Sequence, residues 1–162
     1  MNILDENVPE QQRQLLSDWH VSVRQVSHDI GRKGMQDEEI IPTLLTLGRP
    51  TFFTLDVDFF KRGLCHARYC LVFLDIVPGA TAIFVRRLLR HPKFDTQAKR
   101  AGTVIRISSE GLSVWRLYAT QETRYSWIGA DGRALSSALR EDEGLYVVAD
   151  PELQADLGPD QG

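Results

Sequence analysis

Six acidic side chains stand at places in the chain where joint chemistry is available to them. Asp5 follows the short apolar step Asn2-Ile3-Leu4. Asp37, Glu38 and Glu39 open a stretch in which Ile40, Ile41, Leu44, Leu45 and Leu47 recur at helical spacing. Asp56 and Asp58 close the aromatic and β-branched run Thr51-Phe52-Phe53-Thr54-Leu55. Carboxylates brought together repel one another, and a bound cation is the usual compensation. An all-oxygen donor set favours a hard divalent ion, Mg²⁺ or Mn²⁺. Such an ion activates a water and offsets charge on a phosphodiester under in-line attack.

Each acid also has an ordinary structural explanation. Asp37 is a good N-cap, with Glu38 and Glu39 as first-turn charges that suit the helix dipole. Asp56-Val57-Asp58 makes an acceptable turn, and Asp5 can cap the helix that follows it. The joint pattern carries the weight: two strand-end acids and one helix-start acid fall in a single unit. In an open parallel sheet the carboxyl ends of the strands are where ligands gather.

The elements needed to position these acids are legible. Leu15, Leu16 and Trp19 give a helix over 10–19 after Pro9, and Val21, Val23 and Val26 suggest a second strand. Residues 28–36 hold Gly31 and Gly34 and read as a loop. The segments 51–55 and 70–77 read as strands buried on both faces, and 102–107 as a further strand. Residues 81–90 form an amphipathic helix with Arg86, Arg87 and Arg90 on its outer side. Strands alternating with helices imply an α/β fold with a mostly parallel sheet. Beyond residue 110 the pattern turns β-rich, at 112–120, 123–128 and 145–149, with Asp131-Gly132 as a turn. The expected organisation is one domain over 1–112, a strand-rich extension over 113–149 packed on it, and a loosely ordered acidic tail over 150–162.

Composition narrows the function classes. No apolar run approaches the roughly 20 residues that span a bilayer. The first residues lack the basic-then-apolar layout of a signal peptide, so a cytoplasmic protein is expected. Cys65 and Cys70 have no paired spacing, which argues against structural zinc and for two reduced thiols. The net charge of −3 conceals segregation. Residues 1–60 carry 5 Lys and Arg against 10 Asp and Glu, residues 61–100 carry 9 against 2, and residues 101–162 carry 5 against 10. A basic middle beside an acidic site suits a polyanionic substrate. Arg86, Arg87, Arg90, Lys93, Lys99 and Arg100 are the expected phosphate contacts.

Three motifs together resemble a compact PIN-like domain family, found in bacteria and archaea and often described as toxins of toxin–antitoxin pairs. Asp5-Glu6-Asn7-Val8-Pro9 matches its D-E-N-x-P, Asp37-Glu38-Glu39-Ile40 its D-E-E-I, and Thr54-Leu55-Asp56-Val57-Asp58-Phe59 its T-x-D-x-D-F. The likeness covers about residues 1–110. It departs from the family in a first strand one apolar residue short and in the aromatic stretch with Trp115, Tyr118, Tyr125 and Trp127. The resemblance implies a three-layer α/β/α fold and a metal-dependent endoribonuclease. It implies metal-site roles for Asp5, Asp56, Asp58 and one acid of the D-E-E run, with Asp37 and Glu38 both retained. On the same logic Thr54 orients a carboxylate or water, and Asn7 either holds Asp5 or caps the first helix. The expected partners are RNA, a cognate antitoxin and a second copy of the chain.

Two other readings compete. One is a PIN-like scaffold that binds RNA or protein without cutting. The other is a haloacid-dehalogenase-like phosphatase with Asp56 as nucleophile and Asp58 as acid/base. Phe60 stands where that motif carries Thr or Val, which counts against it. A Ser-His-Asp hydrolase lacks a G-x-S-x-G, and His20, His28, His66 and His91 are scattered.

Overall fold

The computed structural model describes residues 1–127. The expected strand at 145–149, the Asp131-Gly132 turn and the acidic tail lie outside the described residues. The elements are β1 (Asn2–Leu4), α1 (Glu10–Asp18), β2 (Arg24–Gln25), α2 (Asp37–Leu45), β3 (Thr51–Thr54), β4 (Cys70–Leu74), α3 (Thr81–Arg90), α4 (Gln97–Arg100), β5 (Thr103–Ile107), β6 (Gly111–Arg116) and β7 (Thr123–Ser126). Among the described residues, seven strands join one sheet in the order β2-β1-β3-β4-β5-β6-β7. The first five pair in parallel, and β6 and β7 extend the edge antiparallel.

The apolar runs explain the layers. Every residue of β3 and β4 is buried, as expected for central strands covered on both faces. Successive side chains of a strand point to opposite faces, and the core divides accordingly. Leu4, Phe53, Val72 and Ile105 pack with Leu16 of α1 and with Phe84, Val85 and Leu88 of α3. Ile3, Phe52, Leu71 and Val104 pack with Ile40 and Leu44 of α2, together with Phe59 and Tyr69. The result is a mostly parallel sheet with helices on both faces, as the alternating sequence implied.

The second strand is shorter than the Val21, Val23, Val26 pattern suggested, with pairing confined to Arg24 and Gln25. Val21 and Val23 pack from the side against the α1/α3 core instead. Gln25 is buried because its amide has work there: Nε2 donates to the carbonyls of Asp5 at 3.1 Å and Val8 at 3.0 Å. The strands expected at 112–120 and 123–128 are β6 and β7.

The strand order places the crevice. From β1 the chain crosses to β2 on one side, then passes over to β3 on the other. The gap beyond the carboxyl ends of β1 and β3 is therefore a topological switch point, where open α/β sheets hold their ligands.

Candidate metal centre

Asp5 follows β1 and Asp56 follows β3 by two residues, so both stand at that crevice. Asp37 reaches it from the opposite direction, as the first residue of α2. Carboxylate oxygens of Asp37, Asp56 and Asp58 all lie within 4.8 Å of one another. The donors are oxygens alone, and the side chains are exposed or half-buried. That donor set fits a hard divalent cation with room for water in its shell.

Local structure fixes each member. Thr54 Oγ1 accepts the N–H of Asp56 at 3.0 Å, and Asp56 Oδ1 accepts the N–H of Asp58 at 2.9 Å. Asp56 thereby caps the 3₁₀ turn Val57–Phe59 and turns Asp58 back toward it. At α2 the expected cap is corrected. Gln36, not Asp37, occupies the N-cap, and Glu39 returns to accept the Gln36 N–H at 2.8 Å. Arg32 Nη2 holds Glu39 further, at 2.8 Å. Asp37 is thus released from capping and supplies the acid of the D-E-E run that joins the cluster. Glu38, expected as a ligand, is exposed and outside that group; being one residue further along the helix turns it about 100° away.

Asp5, also expected as a ligand, stands behind the cluster and is buried. Its Oδ2 accepts the hydroxyl of Thr54 at 2.6 Å and its Oδ1 accepts the N–H of Glu6 at 2.7 Å. Asn7 Nδ2 donates to Thr54 Oγ1 at 3.4 Å, and Asn7 Oδ1 accepts the Leu55 N–H at 3.3 Å. The Thr54 hydroxyl donates once and accepts twice, which is its full capacity. Thr54 thus bonds the Asp5 carboxylate directly, whereas Asn7 bonds Thr54 and Leu55 rather than Asp5 and does not cap α1, whose N-cap is Pro9. Gln25 is the participant that the sequence did not signal. It clamps the backbone of the loop carrying Asp5, and a lone Gln in a short edge strand carries no pattern.

The electrostatics bear the mark of crowding. Burial pushes the Asp5 carboxyl above its ordinary value, against the pull of the Thr54 and Glu6 hydrogen bonds, and the Asp37 charge adds to the rise. Asp37 is raised as well, by partial desolvation first and then by the charges of Asp56, Glu38 and Asp58, although much of its side chain faces solvent. A cation among these groups would relieve both.

The expected phosphate contacts are not beside the acids. Alternation along the strands puts Asp5 and Thr54 on the α2 face, whereas α3 packs on the other. Helix α3 also leaves the carboxyl end of β4 and runs back, which carries Arg90, Lys93 and Lys99 toward the opposite end of the sheet. Arg86 is not on the outer side of its helix but 2% exposed, with its guanidinium 3.7 Å from the centre of the Trp19 ring. Arg100 is buried too, donating to Thr51 Oγ1 at 2.9 Å and to the Phe94 carbonyl at 2.7 Å. Arg87 lies over Phe84, and Lys99 pairs with Asp95 at 2.7 Å. Long aliphatic stems let Arg fill a core while its head finds an aromatic or carbonyl partner, so charge along the chain was a poor guide to charge on the surface.

Among the described residues, no helix is long and apolar enough to cross a membrane. Comparison of the chain with protein-family models, with curated proteins and with solved structures gives no match.

Proposed function

We propose that this chain is a metal-dependent endoribonuclease of the PIN-like kind, hydrolysing RNA phosphodiester bonds with Mg²⁺ or Mn²⁺. The observation that carries the reading is the convergence of Asp37, Asp56 and Asp58 at the switch point, within 4.8 Å of one another. These three would hold the cation, with waters completing its coordination. Bound there, the cation supplies an activated water and charge compensation at the phosphodiester. Asp5, fixed by Thr54, adds negative charge behind the ligands and accepts hydrogen bonds in a set orientation. The toxin half of a toxin–antitoxin pair is the role that fits such an activity in this family, with the antitoxin as protein partner.

The test is cleavage of single-stranded RNA by purified protein with Mn²⁺ or Mg²⁺. Asp56→Asn and Asp58→Asn are expected to lower the rate by more than about 100-fold. Because both side chains are partly or largely exposed, circular dichroism should stay unchanged. Cleavage that survives excess chelator would sink the metal mechanism. Metal binding without cleavage would make the protein an RNA- or protein-binding module instead.

A further inference from the structure

Between Ile40 and Leu74 the chain contains only two acids, Asp56 and Asp58, and both belong to the cluster. The same stretch contains Arg49, Lys61, Arg62 and Arg68, and all four are exposed. Among the described residues no ion pair joins any of them to an acid. They differ in this from Lys99, Arg106 and Arg124, whose charges Asp95, Asp75 and Glu122 already answer. Arg62 lies 5.4 Å from the centre of the Trp115 ring. That contact uses the face of the guanidinium and leaves the N–H groups on its rim.

Packing sets these cations in a line. After Asp58 the chain crosses the α2 face of the sheet and enters β4 at its amino end, and its apolar side chains tie it down. The Phe59 ring meets Phe52 edge to face at 5.3 Å, and Phe60 lies 6.5 Å from Phe73. Cys65 Sγ donates to the Trp115 carbonyl at 3.5 Å, and the Tyr69 hydroxyl donates to the Leu64 carbonyl at 2.5 Å. With the inner side of the segment so committed, Lys61, Arg62 and Arg68 are left on its outer side. The β3–β4 register sets Thr51 beside Cys70, and the Cys70 N–H donates to the Pro50 carbonyl at 3.0 Å. Arg49 and Arg68, each two residues earlier, therefore stand at the amino ends of neighbouring strands. The strip runs from the acidic crevice to that end, along the five residues of β4, a span of about 16 Å.

We infer that this strip is the path along which a single-stranded polynucleotide reaches the acidic site, with Lys61, Arg62, Arg68 and Arg49 against its phosphates. The inference rests on the nuclease reading for what happens at the acids, but the strip itself is a binding surface. It takes the place of the α3 cations, which lie on the other layer. Charge carries the argument: the strip holds four cations, and the acids in the same stretch are the ones a divalent ion would neutralise. Each cation set against a phosphate releases counterions from the polyanion. His66, half-buried and stacked on Tyr69 with ring centres 5.3 Å apart, adds a ring on which a base can stack. Such contacts hold a backbone in place without reading its bases.

The test separates binding from cutting. Single-stranded RNA of about twelve nucleotides, within the usual site sizes for single strands, is titrated in chelator with fluorescence anisotropy across a salt series. Lys61→Gln, Arg62→Gln and Arg68→Gln are each expected to weaken binding several-fold and to reduce the log–log salt slope by about 0.7. Arg90→Gln removes an exposed cation from the α3 layer and should change neither. Lys61 and Arg68 have no side-chain hydrogen bond or ion pair among the described residues, so their variants should melt as wild type does. Wild-type binding absent, unchanged affinity and slope in the three strip variants, or an equal loss in Arg90→Gln overturns the strip. Polyglutamate bound as tightly as RNA overturns the RNA assignment in favour of an acidic protein segment. In Mn²⁺, cleavage of a dinucleotide too short to span the strip should be the same in wild type and Arg68→Gln. Intact RNA binding with no cleavage of either the dinucleotide or the longer RNA overturns the nuclease reading and leaves the strip standing.

Discussion

At the scale of single residues, the site depends on one hydroxyl more than on any one acid. Thr54 Oγ1 joins the β1 loop to the β3 loop, since it donates to Asp5 and accepts from both Asn7 and Asp56. Thr54→Val keeps the shape and removes all three bonds. It leaves Asp5 buried with one oxygen lacking a donor, at a cost of about 1–3 kcal/mol. Mn²⁺ affinity measured by calorimetry is expected to fall about 10–100-fold, and Thr54→Ser should restore most of it. Equal affinity in Thr54→Val would mean that the cluster is oriented by the 3₁₀ turn alone. Thr54 was legible in the sequence through its motif. Gln25 was not, because its contribution is two hydrogen bonds to carbonyls brought beside it by chain reversal.

At the scale of elements, the short strands are the sensitive ones. β2 makes only two paired positions and is held by the Gln25 amide, so the loop bearing Asp5 inherits its order from a side chain. β7 hangs on β6 at the sheet edge, where backbones approach closely. A Cβ at Gly111 would lie 2.3 Å from the Tyr125 carbonyl oxygen, closer than any unstrained contact. Gly111→Ala should therefore splay β7 from β6 and cost about 1–3 kcal/mol. Denaturant unfolding would read this as a lower midpoint at unchanged slope. Mn²⁺ binding should persist, because the acids sit four strands away. A stability equal to wild type would show that β7 is free to shift on its neighbour. The helical periods that predicted α1, α2 and α3 survived because burial enforces them. The edge strand β2 was blurred in the sequence because a strand of two residues has too few positions to alternate.

At the scale of the whole molecule, the acidic crevice trades stability for readiness to take a cation. Burial raises Asp5, and burial with three neighbouring acids raises Asp37. An acid with a raised folded pKa favours the folded state while protonated. That contribution is complete below the ordinary Asp value of about 4 and is lost as pH rises through the raised values. Metal-free protein should therefore melt progressively lower as pH climbs through that window. Mn²⁺ at about 100 times its dissociation constant should return about 2.7 kcal/mol at neutral pH, and less in acid, where protons compete for the ligands. Thermal unfolding from about pH 4 to pH 8, with chelator and with Mn²⁺, checks both parts. Parallel curves would mean that the acids do not converge in solution. The sequence by itself determined the alternation of strands and helices and the three acidic motifs, because periodicity and strand-end position are local properties. Only the tertiary structure decided that Asp37 rather than Glu38 joins the acidic cluster, that Asp5 lies behind that cluster, and that Arg86 and Arg100 are core residues. Each of these follows from which face of an element is covered, and coverage is set by neighbours far away in the chain.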